Sequence, residues 1–207
     1  MKLNDNTVIL DIETVPCDME QWAIDYIDHK ISNKRGDNKD PIKYASLTAE
    51  FAKLACIVYR HNGHTFKLYN KSEQELLSAF WGALATIPNY IESPLTVVTF
   101  NGIGFDIPTL IKRSIINDIA THGIKIPTKK YSTKGHFDVM GVLSGYDISK
   151  VHSLDICCKM YNIPFDNTDG SDIYALYQQG LIEEITDHCE KDVIATEQLY
   201  NKIKNYY

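Results

Sequence analysis

Short apolar runs bounded by polar residues predict the β-strands of this chain. They cover residues 7–13, 54–59, 65–69 and 95–100, with a short last strand at 136–140. Between the second and third strands the dipeptide Asn62-Gly63 is a hairpin signal. Apolar positions spaced three and four apart predict helices after Ser72 and Pro108, and over residues 151–161, 172–177 and 182–203. Ser72, with Glu75 three residues on, predicts a capping box at the start of the first of these helices. The polar stretch 28–44 lacks such a period and is predicted to be a loop.

This order of elements predicts an α/β fold in which helices flank a mixed sheet. At 207 residues the chain is long enough for one well-buried domain and short for two. No linker or internal repeat interrupts it. We therefore expect a single domain over residues 1–207.

The location of the protein is predicted from what the chain lacks. No apolar run reaches membrane-spanning length, and the first residues form no charged-then-apolar leader. Its five cysteines, at positions 17, 56, 157, 158 and 189, form no CxxC pair. They are typical of free thiols in a reducing compartment, so we expect a cytoplasmic protein with no membrane contact.

Candidate chemistry begins in the first strand, where the only charged residues are Asp11 and Glu13. Residues two apart on a strand point to the same face, so both carboxylates project together while Ile12 points away into the core. Two like charges side by side are unfavourable unless a cation neutralises them. Oxygen ligands of this kind suit Mg²⁺ or Mn²⁺ better than zinc.

Two further acidic motifs follow in order. Asp106 stands in NGIGFDIPTL, residues 101–110, and Asp192 stands in HCEKDV, residues 188–193. Together with DIETVP at residues 11–16, they make the chain resemble the DnaQ-like, or DEDD, 3′–5′ exonuclease superfamily. It is most similar to the stand-alone exonucleases related to the proofreading domain of family-B DNA polymerases. The resemblance covers nearly the whole chain and implies a ribonuclease-H-like fold.

The resemblance also implies roles for individual residues. Asp11, Glu13, Asp106 and Asp192 would hold two divalent ions, Mg²⁺ or Mn²⁺, and act in catalysis. Asn101 and Phe105 would help to hold the terminal nucleotides of the substrate, and Thr14 would lie near its 3′ end. Two simpler alternatives remain open: Asp106 as the N-cap of the helix that follows it, and Phe105 as a core aromatic.

His188 is where this chain departs from the family pattern. A histidine stands at the spacing where the polymerase-like branch has tyrosine, four residues before Asp192. Residues at i and i+4 share a helix face, so both side chains can point into the site. An imidazole can accept a proton from water, which makes His188 a candidate catalytic residue. The alternative is that the helix turns His188 to solvent, while Asp187 is a surplus acid.

Four lysines, at positions 125, 129, 130 and 134, surround Tyr131 in a basic loop. Such a loop can follow a phosphate backbone and stack a base, although a solvated lysine loop is the default interpretation. That default applies more strongly to the acid-interrupted cluster of Lys30, Lys34, Arg35 and Lys39. Four other polar residues have simple structural explanations: Asp138 satisfying backbone groups, Asp169 and Ser171 as helix caps, and Asp155 at a helix start.

Charge does not exclude a nucleic-acid substrate. The formal net charge is −6, but setting the four candidate metal ligands aside leaves a balance of −2. We expect a metal-dependent 3′–5′ exodeoxyribonuclease that acts on single-stranded or frayed 3′ ends and releases nucleoside monophosphates. Proofreading would require a separate DNA polymerase as partner. The alternatives are an exoribonuclease of the same fold and a non-catalytic nucleic-acid-binding module.

Overall fold

A computed structural model describes residues 6–32, 40–88, 95–165 and 173–207 of the chain. In these residues five strands form one mixed sheet in the order β3-β2-β1-β4-β5. The strands are β1 (Thr7–Pro16), β2 (Ala52–His61), β3 (His64–Leu68), β4 (Thr96–Thr99) and β5 (His136–Asp138). The predicted α/β class with a mixed sheet is confirmed.

The two halves of the sheet differ in strand direction. Strands β1, β2 and β3 are antiparallel neighbours, whereas β4 runs parallel to β1 and β5 runs parallel to β4. The hairpin between β2 and β3 turns at Asn62 and Gly63, which both have positive φ, 52° and 81°. This left-handed pair is the geometry that the Asn-Gly signal predicts. In the parallel half, the carboxyl ends of β1 and β4 lie at one edge of the sheet, where ligands usually bind in such folds.

Helices cover both faces of the sheet. They are α1 (Gln21–Ser32), α2 (Pro41–Ser46), α3 (Glu73–Ala85), α4 (Asp106–Ile116), α5 (Val139–Ser144), α6 (Leu154–Met160), α7 (Ile173–Gln178) and α8 (Ile182–Ile203). Helices α3 and α4 bury one face, and α5, α6 and α8 bury the other. Helix α3 begins with the predicted capping box, in which the Ser72 hydroxyl accepts from the Glu75 amide and the Glu75 carboxylate accepts from the Ser72 amide.

The prediction that residues 28–44 form a loop is wrong for most of its described residues. Helix α1 continues to Ser32, and α2 begins at Pro41 after the side chain of Asp40 caps it. The apolar face of α1 is narrow: Ala23, Ile27 and Ile31 are its buried residues. That stripe packs in a small cluster with Phe51, apart from the two large cores. Because so few apolar residues are needed for this cluster, the segment has a largely polar sequence and its helical period is hard to detect.

A few other expectations are refined or fall outside the described residues. Strand β5 ends at Asp138, and residues 139–140 open α5 instead of extending the strand. Asp169, Ser171, Lys34, Arg35 and Lys39 lie outside the described residues. Within those that are described, no helix is long and apolar enough to cross a membrane.

Candidate active site

Strand β1 presents Asp11 and Glu13 to the sheet face that α8 covers. Ile12 lies in the opposite core, under α3 and α4, as the alternation predicts. Pairing between β1 and β4 extends only over Thr7–Ile9, so both carboxylates lie beyond it on that side. A register shift follows Glu13 in the pairing with β2, and such a bulge re-aims the neighbouring side chains. The two carboxylates therefore lie on the part of β1 that extends beyond its pairing with β4.

The second motif forms a tight turn between β4 and α4. Asn101 has a positive φ of 71°, and a Cβ on Gly102 would lie 2.2 Å from Thr99 Oγ1, so only glycine fits there. The carboxylate of Asp138 accepts hydrogen bonds from the amides of Asn101 (3.0 Å), Ile103 (2.9 Å) and Gly141 (3.0 Å). The simple explanation of Asp138 is thus confirmed, because this residue holds the turn.

Asp106 is the first residue of α4 and is not its N-cap, so the capping alternative is wrong. The N-cap position belongs to Phe105, with no side-chain hydrogen bond. Asp106 is only 2% exposed, and its Oδ1 has no hydrogen-bond partner among the described residues. A buried carboxylate oxygen without a partner is unfavourable unless something absent from the polypeptide binds it.

Helix α8 supplies the two candidates from the third motif. His188 Nε2 lies 3.8 Å from Glu13 Oε1, and the two side chains are 17% and 18% exposed. The alternative that His188 points to solvent is therefore wrong. Asp192 also has a buried Oδ1 without a partner among the described residues. Asp187 faces outward, 65% exposed, and pairs with Lys67 at 2.8 Å.

Cys189 is a residue that the sequence reasoning missed. Its buried thiol donates a hydrogen bond to Asp11 Oδ2 at 3.1 Å and is also hydrogen-bonded to the Cys56 thiol. Burial, with the nearby Cys56 thiol, raises the pKa of the Cys189 thiol well above its ordinary value, so it remains a neutral donor. In the sequence, only its position between His188 and Asp192 in the third motif could have indicated that it lies in the site.

The four carboxylates act on one another electrostatically. Burial, followed by the charges of Asp106, Glu13 and Asp192, raises the pKa of Asp11 well above its ordinary value. Burial is also the main cause that raises the pKa of Glu13, ahead of Cys56, Asp192 and Asp106. The pKa of Asp106 rises to about 7, mainly through burial. Burial raises the pKa of Asp192 as well, and this effect exceeds the lowering of the pKa by nearby His188 and Lys191.

This grouping fits divalent cations, although it is not a finished metal site. Among the described residues, no three acidic, histidine or cysteine side chains already converge on one point as ligands. The donor set is nevertheless suitable, since carboxylate oxygens are the ligands that Mg²⁺ and Mn²⁺ prefer. The two unpartnered oxygens, on Asp106 and Asp192, provide free ligand positions, and a bound cation would draw the side chains together.

The three candidate substrate-binding residues border this group. Thr14 is buried and donates from its hydroxyl to the carbonyl of Ser46 at 2.6 Å. Phe105 is half-buried and packs against the core under α3 and α4, which favours the alternative of a core aromatic. Asn101 is half-buried in the turn, where its Oδ1 lies close to Gly104. Their roles in holding a nucleic acid remain predictions.

Comparisons with known proteins identify the family and the fold of the chain. A family profile described as "Predicted 3'-5' exonuclease related to the exonuclease domain of PolB" matches residues 48–206. The chain belongs to this family. The matched residues include the second and third motifs, while Asp11 and Glu13 precede them. No curated protein matches the chain.

Among solved structures, the chain is similar to the family B DNA polymerase from the hyperthermophilic archaeon Pyrobaculum calidifontis, with a TM-score of 0.61 and 15% sequence identity. The match covers 95% of this chain and 24% of the polymerase chain. The likeness therefore shows the fold, which is that of a polymerase-related exonuclease domain, and the expected ribonuclease-H-like architecture is confirmed.

Proposed function

We propose that this protein is a two-metal-dependent 3′–5′ exodeoxyribonuclease that releases nucleoside monophosphates from single-stranded or frayed DNA ends. One observation carries the proposal: four carboxylates from three separate segments share one site, and two of their buried oxygens have no partner among the described residues. Such a site is unfavourable for folding, which indicates a functional purpose.

In this proposal Asp11 would be the central ligand, because the charges of the other three carboxylates all act on it. Glu13 and Asp192 would complete the part of the site that faces His188, and Asp106 would be the ligand on the α4 side. Two divalent ions held by these residues would supply activation of the attacking water and stabilisation of the leaving 3′ oxygen. The thiol of Cys189 fixes the orientation of Asp11 through its hydrogen bond.

His188 is the proposed partner of the attacking water. It stands beside Glu13 at the partly exposed mouth of the site, where water has access. From this position the imidazole can orient the water or accept its proton. Asn101 and Phe105, at the turn before Asp106, would hold the terminal nucleotide, and Thr14 would lie near the 3′ hydroxyl.

End-labelled single-stranded DNA and RNA, each incubated with Mg²⁺, Mn²⁺ or excess chelator, test this proposal. We expect stepwise release of mononucleotides from DNA with either metal and none with chelator. Faster digestion of RNA would identify an exoribonuclease instead. Equal turnover in chelator would contradict the metal-dependent mechanism, and binding without turnover would indicate a non-catalytic module.

The direction of digestion is tested separately. A 3′-phosphorylated strand should resist digestion while a 5′-blocked strand should not, because the site must receive a free 3′ end. Cleavage of a circular single strand would show an endonuclease and would remove the basis for the roles of Asn101 and Phe105.

A further inference from the structure

The basic loop of residues 125–134 lies beside the second motif. Its lysines at positions 125, 129, 130 and 134 are exposed, and none forms an ion pair with another described residue. Tyr131 is 77% exposed and holds a positive φ of 61°. An exposed aromatic among unpaired cations is suited to a strand of bases and phosphates.

A buried hydrogen-bond chain ties this loop to the turn of the second motif. Burial lowers the pKa of His136, so its ring is neutral. Its Nδ1 lies 2.7 Å from the Pro127 carbonyl, which can only accept, so Nδ1 carries the hydrogen. Its Nε2 then accepts from Thr99 Oγ1 at 2.8 Å, and this oxygen accepts from the Gly102 amide at 3.1 Å. The base of the loop is thus fixed relative to the motif.

A cavity of about 220 Å³ opens between the loop and the motif. It is lined by Asn101, Ile103, Gly104, Lys130, Tyr146 and Ile148, among others. The ring of Tyr131 packs against the ring of Tyr146, with centroids 4.9 Å apart. Pockets for drug-sized ligands usually occupy ~300–1,000 Å³, so this cavity suits a single planar ring system.

Tyr146 lines the cavity and carries a buried polar group. Its hydroxyl is buried and has no hydrogen-bond partner among the described residues. Burial and the nearby charge of Asp138 raise the pKa of Tyr146, so the hydroxyl stays a donor. Asp138 also lines the cavity, but its oxygens already accept three backbone amides. The free donor therefore belongs to Tyr146.

We propose that the cavity and the basic loop beside it form one groove, and that this groove binds the single strand upstream of the terminal nucleotide. Tyr131 and Tyr146 would hold a base, and the lysines of the loop would hold phosphates. The occupant follows from the chemistry of the walls: two aromatic rings in tilted contact and positive charge from lysines at the rim. This subsite rests on the proposed exonuclease function, because it lies next to the turn that leads into Asp106. With this subsite, the enzyme should bind strands longer than a dinucleotide more tightly than a dinucleotide.

Binding of a length series of single-stranded DNA tests the subsite. Oligonucleotides of two to ten residues are bound in Ca²⁺, and affinity is measured by fluorescence anisotropy. Tyr131→Ala should bind the dinucleotide like the wild type and the decamer roughly tenfold more weakly, since stacking of one base contributes about 1–3 kcal/mol. Replacement of Lys129, Lys130 and Lys134 by alanine should reduce the slope of log affinity against log salt by about 2, at roughly 0.7 per phosphate.

Matched controls separate this effect from general surface changes. Tyr206→Ala removes another exposed aromatic, 84% exposed near the end of the chain. Lys71→Ala removes an exposed lysine just after β3, at the opposite edge of the sheet from β5. Neither should change the length dependence or the salt slope. The subsite is refuted if Tyr131→Ala and the triple lysine variant bind the decamer as the wild type does.

Failure of the subsite can be distinguished from failure of the proposed function. The binding series requires no turnover, so it reports on the groove even if no strand is digested. If the wild type digests DNA while Tyr131→Ala retains the kcat/KM of the wild type on long strands, the exonuclease stands and the subsite does not. If length-dependent binding is lost in Tyr131→Ala but the wild type digests nothing, the groove stands and the exonuclease does not.

Discussion

Replacement of Asp106 by asparagine should stabilise the metal-free protein at high pH while destroying its activity. Asp106 is 2% exposed, and burial raises its pKa from the ordinary value of 3.8 to about 7. A neutral amide of the same shape avoids the unfavourable burial of a charge. The substitution therefore removes a ligand and an unfavourable interaction at the same time.

The size of the effect follows from the pKa difference. Each pKa unit corresponds to about 1.4 kcal/mol, so a rise from 3.8 to about 7 gives about 4 kcal/mol as an upper limit. A pKa that is higher in the folded state means that the folded state binds more protons between pH 4 and 7. Stability from this group is thus fully present below pH 4 and is lost as pH rises through about 7.

Thermal unfolding in chelator, followed by circular dichroism between pH 4 and pH 8, measures this difference. The variant and the wild type should coincide near pH 4 and separate as pH rises. At pH 8 the variant should melt roughly 10 °C higher, at about 2–4 °C per kcal/mol for a chain of this size. Added Mg²⁺ should raise the melting temperature of the wild type more than that of the variant, because ligand binding to the folded state stabilises it.

The matched control is Asp147→Asn. Hydrogen bonds from the Ser149 hydroxyl and amide lower the pKa of this exposed carboxyl, so its replacement relieves no unfavourable charge. It should not stabilise the protein at any pH. If Asp106→Asn were no more stable than the wild type at pH 8 in chelator, the carboxylate would not be electrostatically unfavourable and this account of the site would fail.

Three further predictions concern activity. Asp192→Asn should abolish nucleotide release and leave the far-ultraviolet spectrum unchanged, because an amide of the same shape removes only the charge of a proposed metal ligand; residual turnover near the wild-type rate would rule out the ligand role. His188→Ala should lower kcat roughly a hundredfold while affinity for single strands in Ca²⁺ stays constant, and His188→Tyr should recover part of the loss; normal kcat in His188→Ala would make the histidine a bystander. Cys189→Ala should lower kcat by up to about tenfold, the share of one neutral hydrogen bond, and Cys189→Ser should restore it if orientation of Asp11 is its role.

The parts of the fold that could be predicted from the sequence depend on interactions between residues that are close together in the chain. The Asn62-Gly63 turn and the Ser72 capping box depend on residues a few positions apart, and both form as predicted. The alternation in β1 also fixes which face carries Asp11. By contrast, the sheet order depends on long-range pairing, and the narrow apolar stripe of α1 is hidden in a polar sequence.

The candidate site shows the same division between local and distant contacts. The acidic motifs could be recognised because each is a short segment with its own pattern. The hydrogen bond from Cys189 to Asp11 joins residues 178 positions apart, and no local pattern encodes it. The placement of the basic loop depends on His136 and Thr99 meeting between parallel strands. The acidic residues of the candidate site could thus be recognised in separate segments, whereas the contacts that orient them required the fold.

The described arginines of this fold pair with carboxylates outside the candidate site. Arg60 pairs with Glu197 at 2.8 Å, and Arg113 pairs with Glu73 at 2.6 Å. No lysine or arginine of the described residues forms an ion pair with Asp11, and the residue that contacts it there is the neutral thiol of Cys189. A thiol is a weak donor that can orient a carboxylate without cancelling its charge. Burial and the neighbouring carboxylates thus raise the pKa of Asp11 with no pairing cation to oppose them, and under the proposed function a divalent ion would supply the opposing charge.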